Sequence, residues 1–116
     1  MKFLTQQEVF TKVATHLLTQ NNKSIAKFDC AYRGSNGAMC AIGCLIDDVH
    51  YYPKLEGEGI GSPEFDEVLK KCGVAEESFS LLSDLQYIHD EFEAIEWRDE
   101  LSNVSMIFGL EMPVFE

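Results

Sequence analysis

Apolar and polar positions along the first 20 residues follow the period of an amphipathic helix. Apolar side chains recur three and four positions apart between Gln6 and Gln20, which places them on one face of a helix over that range. Thr5 and Glu8 have the spacing of a capping box at its start, and Asn21 tolerates the left-handed conformation that often ends a helix. The residues on the predicted apolar face are Val9, Phe10, Val13, Ala14, Leu17 and Leu18.

The same periodicity predicts three more helices in the second half of the chain. Ser62-Pro63 begins the second helix, because a hydroxyl suits the cap position and proline suits the first helical position. That helix stops at Gly73, the third begins after Ser78 or Ser80, and the fourth ends at Gly109. Their apolar positions are, in chain order, Phe65, Val68, Leu69, Leu81, Leu82, Leu85, Ile88, Ile95, Leu101, Val104 and Phe108.

Between the first two helices the pattern changes to a short alternation typical of strands. Ile25, Phe28, Cys30 and Tyr32 alternate roughly, as in a short strand. Asn-Gly within 34–37 favours a hairpin turn, with a return strand over 38–42 and a helical turn within 43–48. We therefore predict an α+β fold of mainly helical content, with four helices packed on a short antiparallel β-hairpin, in a single domain spanning 1–116.

Composition and hydropathy favour a folded cytoplasmic protein. Apolar residues make up 46% of the 116 residues, too many for a disordered chain. No apolar run approaches the roughly 18 residues of a membrane span. The polar residues that follow Leu4 leave no room for the apolar region of a signal peptide. We expect no membrane association, and in a reducing cytoplasm the four cysteines are expected to be thiols.

The net charge argues against direct binding to nucleic acid. Twenty acidic and nine basic residues give a formal charge of −11, and the basic residues are scattered along the chain. Because each phosphate contact needs a nearby lysine or arginine, such a chain would repel DNA or RNA. The same charge steers the protein towards partners with basic surfaces.

Three segments together resemble a family of small uncharacterised proteins encoded by bacteriophages, prophages and some bacterial genomes. These are the Cys-Ala-Tyr-Arg-Gly of 30–34, the Cys-Ala-Ile-Gly-Cys-Leu-Ile of 40–46 and the Asp-Leu-Gln-Tyr-Ile-His-Asp of 84–90, followed by Trp97. The resemblance covers about 30–101 and implies a phage or phage-like origin with no assigned activity. It departs at Asp47-Asp48, where the family pattern has a proline.

The cysteines admit a zinc site as one alternative. Cys30, Cys40 and Cys44 with His89 would supply a Cys₃His set, and His16 or His50 could replace His89. The chain has no C-x-x-C knuckle, so buried thiols are the simpler interpretation. We therefore predict no bound metal or cofactor.

A cysteine-dependent hydrolase or transferase is the second alternative. Cys40 would be the nucleophile if it lay at a helix start beside His89, with Asp90 orienting the imidazole. The simpler interpretation is that Cys40 packs in the hairpin and His89 caps a helix end. Asp84, His89, Asp90, Glu91 and Glu93 also admit a divalent cation, although such a run is usually a solvated helix face.

The leading hypothesis is a small acidic accessory protein of phage type that binds a host protein with a basic surface. Inhibition, counter-defence and DNA mimicry are specific versions of it. Arg33 suits a carboxylate or phosphate, although a structural ion pair with one of the twenty acids is the simpler interpretation. Tyrosines on loops suit interfaces, and Tyr51 and Tyr52 could equally cover the hairpin. The candidate binding residues are Tyr32, Arg33, Tyr51, Tyr52, Asp90, Glu91 and Glu93.

Overall fold

The fold consists of four α-helices joined by irregular segments and short 3₁₀ turns. The computed structural model describes residues 3–26, 29–34 and 37–113, with the backbone alone at 25, 26, 29 and 30. The helices are α1 (Gln6–Gln20), α2 (Pro63–Lys71), α3 (Phe79–Glu91) and α4 (Trp97–Phe108). α3 packs on both α1 and α4, and α1 also packs on α4. These three helices therefore form the main packing unit of the molecule.

Local signals in the sequence place several helix ends correctly. The Thr5 hydroxyl accepts a hydrogen bond from the Glu8 N–H at 3.1 Å, and the Glu8 carboxylate accepts one from the Thr5 N–H at 2.8 Å. Asn21 and Gly109 end α1 and α4 in the left-handed conformation, with φ of 52° and 68°. α2 begins at Pro63 as predicted, but the Ser62 hydroxyl donates to the Glu58 carboxylate instead of capping the helix.

The α+β prediction is wrong, because the fold is all-α. Extended structure in the described residues is limited to β1 (Ile25–Ala26) and β2 (Asp29–Cys30), which pair antiparallel, and to two isolated bridges. Two strands of two residues each do not form a sheet layer on which four helices could pack. The predicted hairpin is reduced to the bridge between Arg33 and Met39, and the Ser35-Asn36 part of its turn lies outside the described residues.

Gly43 shows why the predicted return strand does not continue. A Cβ atom on Gly43 would lie 2.0 Å from the Tyr32 carbonyl oxygen, so the chain after Cys40 crosses directly over the Tyr32 backbone. The Cys44 N–H then bonds to the Cys40 carbonyl at 3.1 Å, and a 3₁₀ turn forms over Gly43–Leu45. The chain therefore coils inward after the return strand predicted from the hairpin turn, and the helical turn expected within 43–48 is present.

A single cluster of buried apolar side chains joins the helices to the segment after Met39. Trp97, Phe10 and Phe65 are its largest fully buried members, and Cys40, Ala41 and the neighbouring aliphatic residues belong to the same cluster. The 40–46 segment is therefore part of the core. Among the described residues, no helix is both long enough and apolar enough to cross a lipid bilayer.

Candidate functional site

Cys40, the predicted nucleophile, lies at the centre of the core. Its side chain is fully buried, and its Sγ accepts a hydrogen bond from the Gly43 N–H at 3.3 Å. Burial raises the pKa of the Cys40 thiol well above its usual range, and the nearby charge of Asp90 adds to the rise. Because the nucleophile in cysteine catalysis is the thiolate, this environment favours an inert structural thiol.

His89 and Asp90 do come together, but both ring nitrogens of His89 already have partners. Nε2 accepts the Ser24 N–H at 2.9 Å, and Nδ1 lies 2.8 Å from Asp90 Oδ1. Since a backbone N–H only donates, Nδ1 carries the ring hydrogen. The ring is fully buried and stacks on Trp97 with centroids 5.5 Å apart. No hydrogen bond joins the described side chains of Cys40 and His89. The histidine instead links the backbone at Ser24 to α3.

The ligands of the zinc alternative are not gathered into one cluster where the structure describes them. Cys44 Sγ donates to the Ala41 carbonyl at 3.2 Å, and burial raises the pKa of its thiol to about 12. The side chain of Cys30 lies outside the described residues. Cys40, Cys44 and His89 do not form a three-ligand group among the described side chains.

Arg33 and Tyr51, two predicted binding residues, are stacked on each other. The Arg33 guanidinium lies 4.2 Å from the centre of the Tyr51 ring, a distance typical of a cation–π contact. It also donates to the Ile46 carbonyl at 3.1 Å and pairs with Asp48 at 2.8 Å. Arg33 therefore holds the loop after the 3₁₀ turn in place, as the simpler interpretation of this residue predicted.

Glu56 organises this cluster and was missed by the sequence analysis. Its carboxylate accepts the backbone N–H groups of Tyr32 and Arg33, at 2.9 and 3.1 Å, and the Tyr51 hydroxyl at 2.6 Å. Burial and the bond to Glu56 raise the pKa of Tyr51 to about 12. Nothing in the sequence marks Glu56 among the twenty acids, because its partners lie 5 to 24 positions away.

Tyr32 and Asp90 line two adjoining surface grooves between α3 and the 56–60 loop. The smaller, of about 110 Å³, is lined by Ala31, Tyr32, Glu56, Gln86 and Asp90. The larger, of about 310 Å³, shares Tyr32, Gln86 and Asp90 with it and is also lined by Ile42, Gly59, Ile60, Ser83 and Tyr87. Gln86 links two residues of this region by hydrogen bonds. Its side chain accepts one from the Ile42 N–H at 2.9 Å and donates one to the Asp90 carboxylate at 2.8 Å. The structure thus brings together two predicted binding residues 58 positions apart.

The remaining candidate binding residues lie at different places. Tyr52 is half-buried against the core at the start of the Pro53–Gly57 turn. Glu91 is exposed at the end of α3. Glu93 is also exposed, but its carboxylate accepts the Glu96 N–H in a capping box before α4. Glu91 and Glu93 therefore belong to the surface beside Asp90, and Tyr52 contributes mainly to packing.

One group of potential metal ligands was not anticipated. Asp47, His50 and Cys72 place one carboxylate oxygen, one ring nitrogen and the sulfur within 4.8 Å of one another. His50 Nδ1 lies 2.6 Å from Asp47 Oδ1, and this bond holds the pKa of the Asp47 carboxyl below its usual value. The D-x-x-H spacing is a weak local signal, and nothing in the sequence connects it to Cys72.

Comparison with known proteins adds no assignment. No protein-family model matches the chain, and no curated protein or solved structure gives a significant match.

Proposed function

We propose that this protein works by non-covalent binding to a partner protein with a basic surface, through an acidic face formed by the 84–100 segment. Seven carboxylates and a single basic residue, Arg98, lie in those 17 positions. The segment comprises the end of α3, the Ala94–Glu96 turn and the start of α4. This concentration of negative charge is the observation that carries the proposal. The carboxylates are Asp84, Asp90, Glu91, Glu93, Glu96, Asp99 and Glu100.

Exposed apolar side chains within the acidic face favour a protein as the partner. Ile95 is 91% exposed and Tyr87 is 60% exposed, and both lie between carboxylates in the sequence. Apolar and aromatic contacts with a charged rim are typical of protein interfaces. A purely electrostatic ligand would gain nothing from Ile95.

The groove lined by Tyr32, Tyr87 and Asp90 supplies an anchor point beside this face. Its volume of about 310 Å³ is at the low end of ligand pockets. It suits one long side chain of a partner better than a whole cofactor. Since Asp90 forms one wall, a lysine or arginine is the side chain that fits its charge.

The resemblance to phage and prophage proteins supplies the biological context of the proposal. A host protein is then the natural partner, and inhibition or counter-defence the expected outcome. If the partner normally binds nucleic acid, the acidic face would compete for the same basic site, as a DNA mimic does.

Reversing the charge of one exposed residue tests whether the acidic face binds the partner. Glu91→Lys on the acidic face and Glu67→Lys on the exposed side of α2 both change the formal charge from −11 to −9. We expect Glu91→Lys to lose most of the partner captured from host lysate by the wild-type protein, and Glu67→Lys to retain it. Equal retention by the two variants would show that the acidic face is not the binding surface.

Salt dependence tests the electrostatic part of the proposal. The Debye length falls from about 10 Å at 0.1 M salt to about 3 Å at 1 M. We therefore expect capture of the same partner to decline steeply over this range, because opposite charges at the rim of an interface are screened. A partner held equally tightly at both salt concentrations would contradict binding through charge.

A further inference from the structure

The group formed by Asp47, His50 and Cys72 has the composition and placement of a metal site. It lies outside the acidic face and uses none of the residues proposed to contact a partner. One ligand atom from each residue lies within 4.8 Å of the other two. Asp47 is exposed, and His50 and Cys72 are partly buried, so an ion has access from solvent on one side.

Backbone structure holds two of the three ligands in place. The His50 N–H donates to both the Asp47 carbonyl and Asp47 Oδ1, each at 3.1 Å. The Tyr51 N–H also donates to the Asp47 carbonyl at 3.1 Å. Asp47 and His50 are three positions apart in the sequence, and this turn brings the carboxylate and the imidazole side by side. Little chain ordering is then required when an ion binds.

Cys72 approaches from the other side of the site, at the end of α2. Its N–H caps the helix by donating to the Val68 and Leu69 carbonyls at 3.0 and 3.1 Å. Gly73 then turns the chain with φ of +91°, and the Leu4 N–H bonds to the Gly73 carbonyl at 2.8 Å. The sulfur is therefore carried by a fixed helix end and not by a free loop.

The charges near the group are of both signs, since Lys70 and Lys71 lie in the last turn of α2, just before Cys72. The carbonyl end of α2 carries the negative end of the helix dipole, and Asp47 adds a full negative charge. Burial raises the pKa of the Cys72 thiol, whereas the charge of Lys12 acts in the opposite direction. Lys12 is exposed on α1, so its flexible side chain can turn towards water when an ion enters.

We propose that Asp47, His50 and Cys72 bind one zinc-type divalent cation, with the fourth coordination position open to water or to a side chain of another molecule. A set of one sulfur, one nitrogen and one oxygen suits Zn²⁺, whereas Mg²⁺ and Ca²⁺ prefer oxygen alone. With bonds of about 2.0–2.3 Å, tetrahedral ligands lie roughly 3.3–3.8 Å apart. Asp47 Oδ1 and His50 Nδ1 are now closer than this, at 2.6 Å, and no two of the three ligand atoms are more than 4.8 Å apart, so the proposed site needs only small adjustments of the side chains.

Binding replaces one hydrogen bond and releases one proton. If the ion binds His50 Nδ1, the ring hydrogen now shared with Asp47 moves to Nε2, and both Asp47 Oδ1 and Nδ1 become ligands. The Cys72 thiol gives its proton to water as the sulfur–metal bond forms. No electron is transferred, so the site needs no redox partner.

Titration of the full chain with Co²⁺ and Zn²⁺ tests the site. We expect one ion per chain and, with Co²⁺, a near-ultraviolet charge-transfer absorption from thiolate to metal. Cys72→Ser should abolish that absorption and weaken Zn²⁺ binding by more than the roughly 10–100-fold that loss of an outer-shell partner costs. Cys44→Ser is the matched control, since Cys44 is also a partly buried thiol but lies outside the group, and it should bind like the wild type.

His50→Gln and Asp47→Asn keep the test decisive if Cys72→Ser fails to fold, because both positions are at the surface of the site. Each should weaken Zn²⁺ binding while leaving the circular dichroism of the metal-free protein unchanged. Absence of Zn²⁺ binding, or a charge-transfer absorption that survives in Cys72→Ser, would overturn the proposal. Survival of the absorption would point instead to the other cysteines.

Discussion

At the scale of single residues, burial and hydrogen bonding explain why side chains that looked chemically active are structural. Cys40 has no exposed surface, and His89 has a partner on each ring nitrogen. Arg33 is bound by a carbonyl, a carboxylate and an aromatic ring. Each of these groups is fixed by neighbours distant in sequence, and each therefore contributes to stability more than to reactivity.

The first residue-scale prediction concerns His89. His89→Phe keeps the ring stacked on Trp97 but leaves the buried Ser24 N–H without an acceptor. We expect the free energy of unfolding to fall by about 1–3 kcal/mol, the usual cost of an unsatisfied buried group, as measured by urea denaturation. His16→Phe is the control, because the Met39 carbonyl bonded to His16 also accepts from Gln20. An equal loss in both variants would contradict a special role for His89.

The second residue-scale prediction concerns the thiols. Burial raises the pKa of Cys40, Cys44 and Cys72, so all three should be mostly protonated at neutral pH. We expect Cys40 to be alkylated only when the protein unfolds. Cys44 and Cys72 should be alkylated slowly in the folded protein, and their alkylation rates should keep rising as the pH increases towards about 10. Site-resolved mass spectrometry of labelled protein measures this. A Cys40 rate that levels off below about pH 8.5, the ordinary thiol pKa, would restore the enzyme hypothesis.

At the scale of elements, the helices follow from local chemistry and the predicted hairpin fails because of a long-range contact. The capping box at Thr5, Pro63 and the left-handed Gly109 each act within a few residues. The strand predicted over 38–42 instead meets the backbone of Tyr32, which passes closely under Gly43. The apolar pattern of a five-residue stretch cannot reveal such a crossing, because a buried turn and a buried strand have similar patterns.

Gly43 gives the element-scale prediction. In Gly43→Ala the new methyl group would overlap the Tyr32 carbonyl oxygen, so the 3₁₀ turn must move away from the core. We expect a loss of about 3 kcal/mol, the upper end of the usual cost of overpacking, measured by thermal or urea unfolding. Gly57→Ala is the matched control, because nothing lies within 4 Å of its Cβ position. It should be neutral or slightly stabilising, and a large loss there would invalidate the comparison.

At the scale of the whole molecule, negative charge is the dominant feature. A formal charge of −11 on 116 residues keeps like charges near one another on a small surface. Net charge of this size favours solubility and steers association, but self-repulsion destabilises the compact state. The acidic face concentrates this charge, so any partner that neutralises it also relieves repulsion within the protein.

The whole-molecule prediction is therefore that salt stabilises the free protein. Raising sodium chloride from about 0.01 M to about 0.3 M shortens the Debye length from roughly 30 Å to below 10 Å. The melting temperature, measured by calorimetry, should rise over this range. Potassium chloride at equal ionic strength should give the same rise, since screening does not distinguish the two cations. A melting temperature that falls with salt would mean that favourable ion pairs outweigh repulsion.

The amino-acid pattern was sufficient to predict the features that depend on neighbours within about four residues or on composition. These are the four helices, most of their ends, and the anionic character of the chain. The sequence also identified Tyr32, Arg33, Tyr51 and Asp90 as notable without showing which of them meet. Arg33 stacks on Tyr51, whereas Tyr32 and Asp90 share a groove, and Glu56 joins Tyr32 to the stacked pair.

The burial of side chains and the pairing of distant residues depend on how the whole chain folds. The Ser24 bond to His89 spans 65 positions, and Cys72 reaches Asp47 and His50 only because α2 ends beside their turn. The reactivity of a thiol or an imidazole depends on its packing and on its loss of contact with water. Both depend on contacts with distant parts of the chain. A local sequence pattern carries no information about the distances between residues far apart in the chain. For this reason the all-α fold and the Asp47–His50–Cys72 group could not be predicted from the pattern.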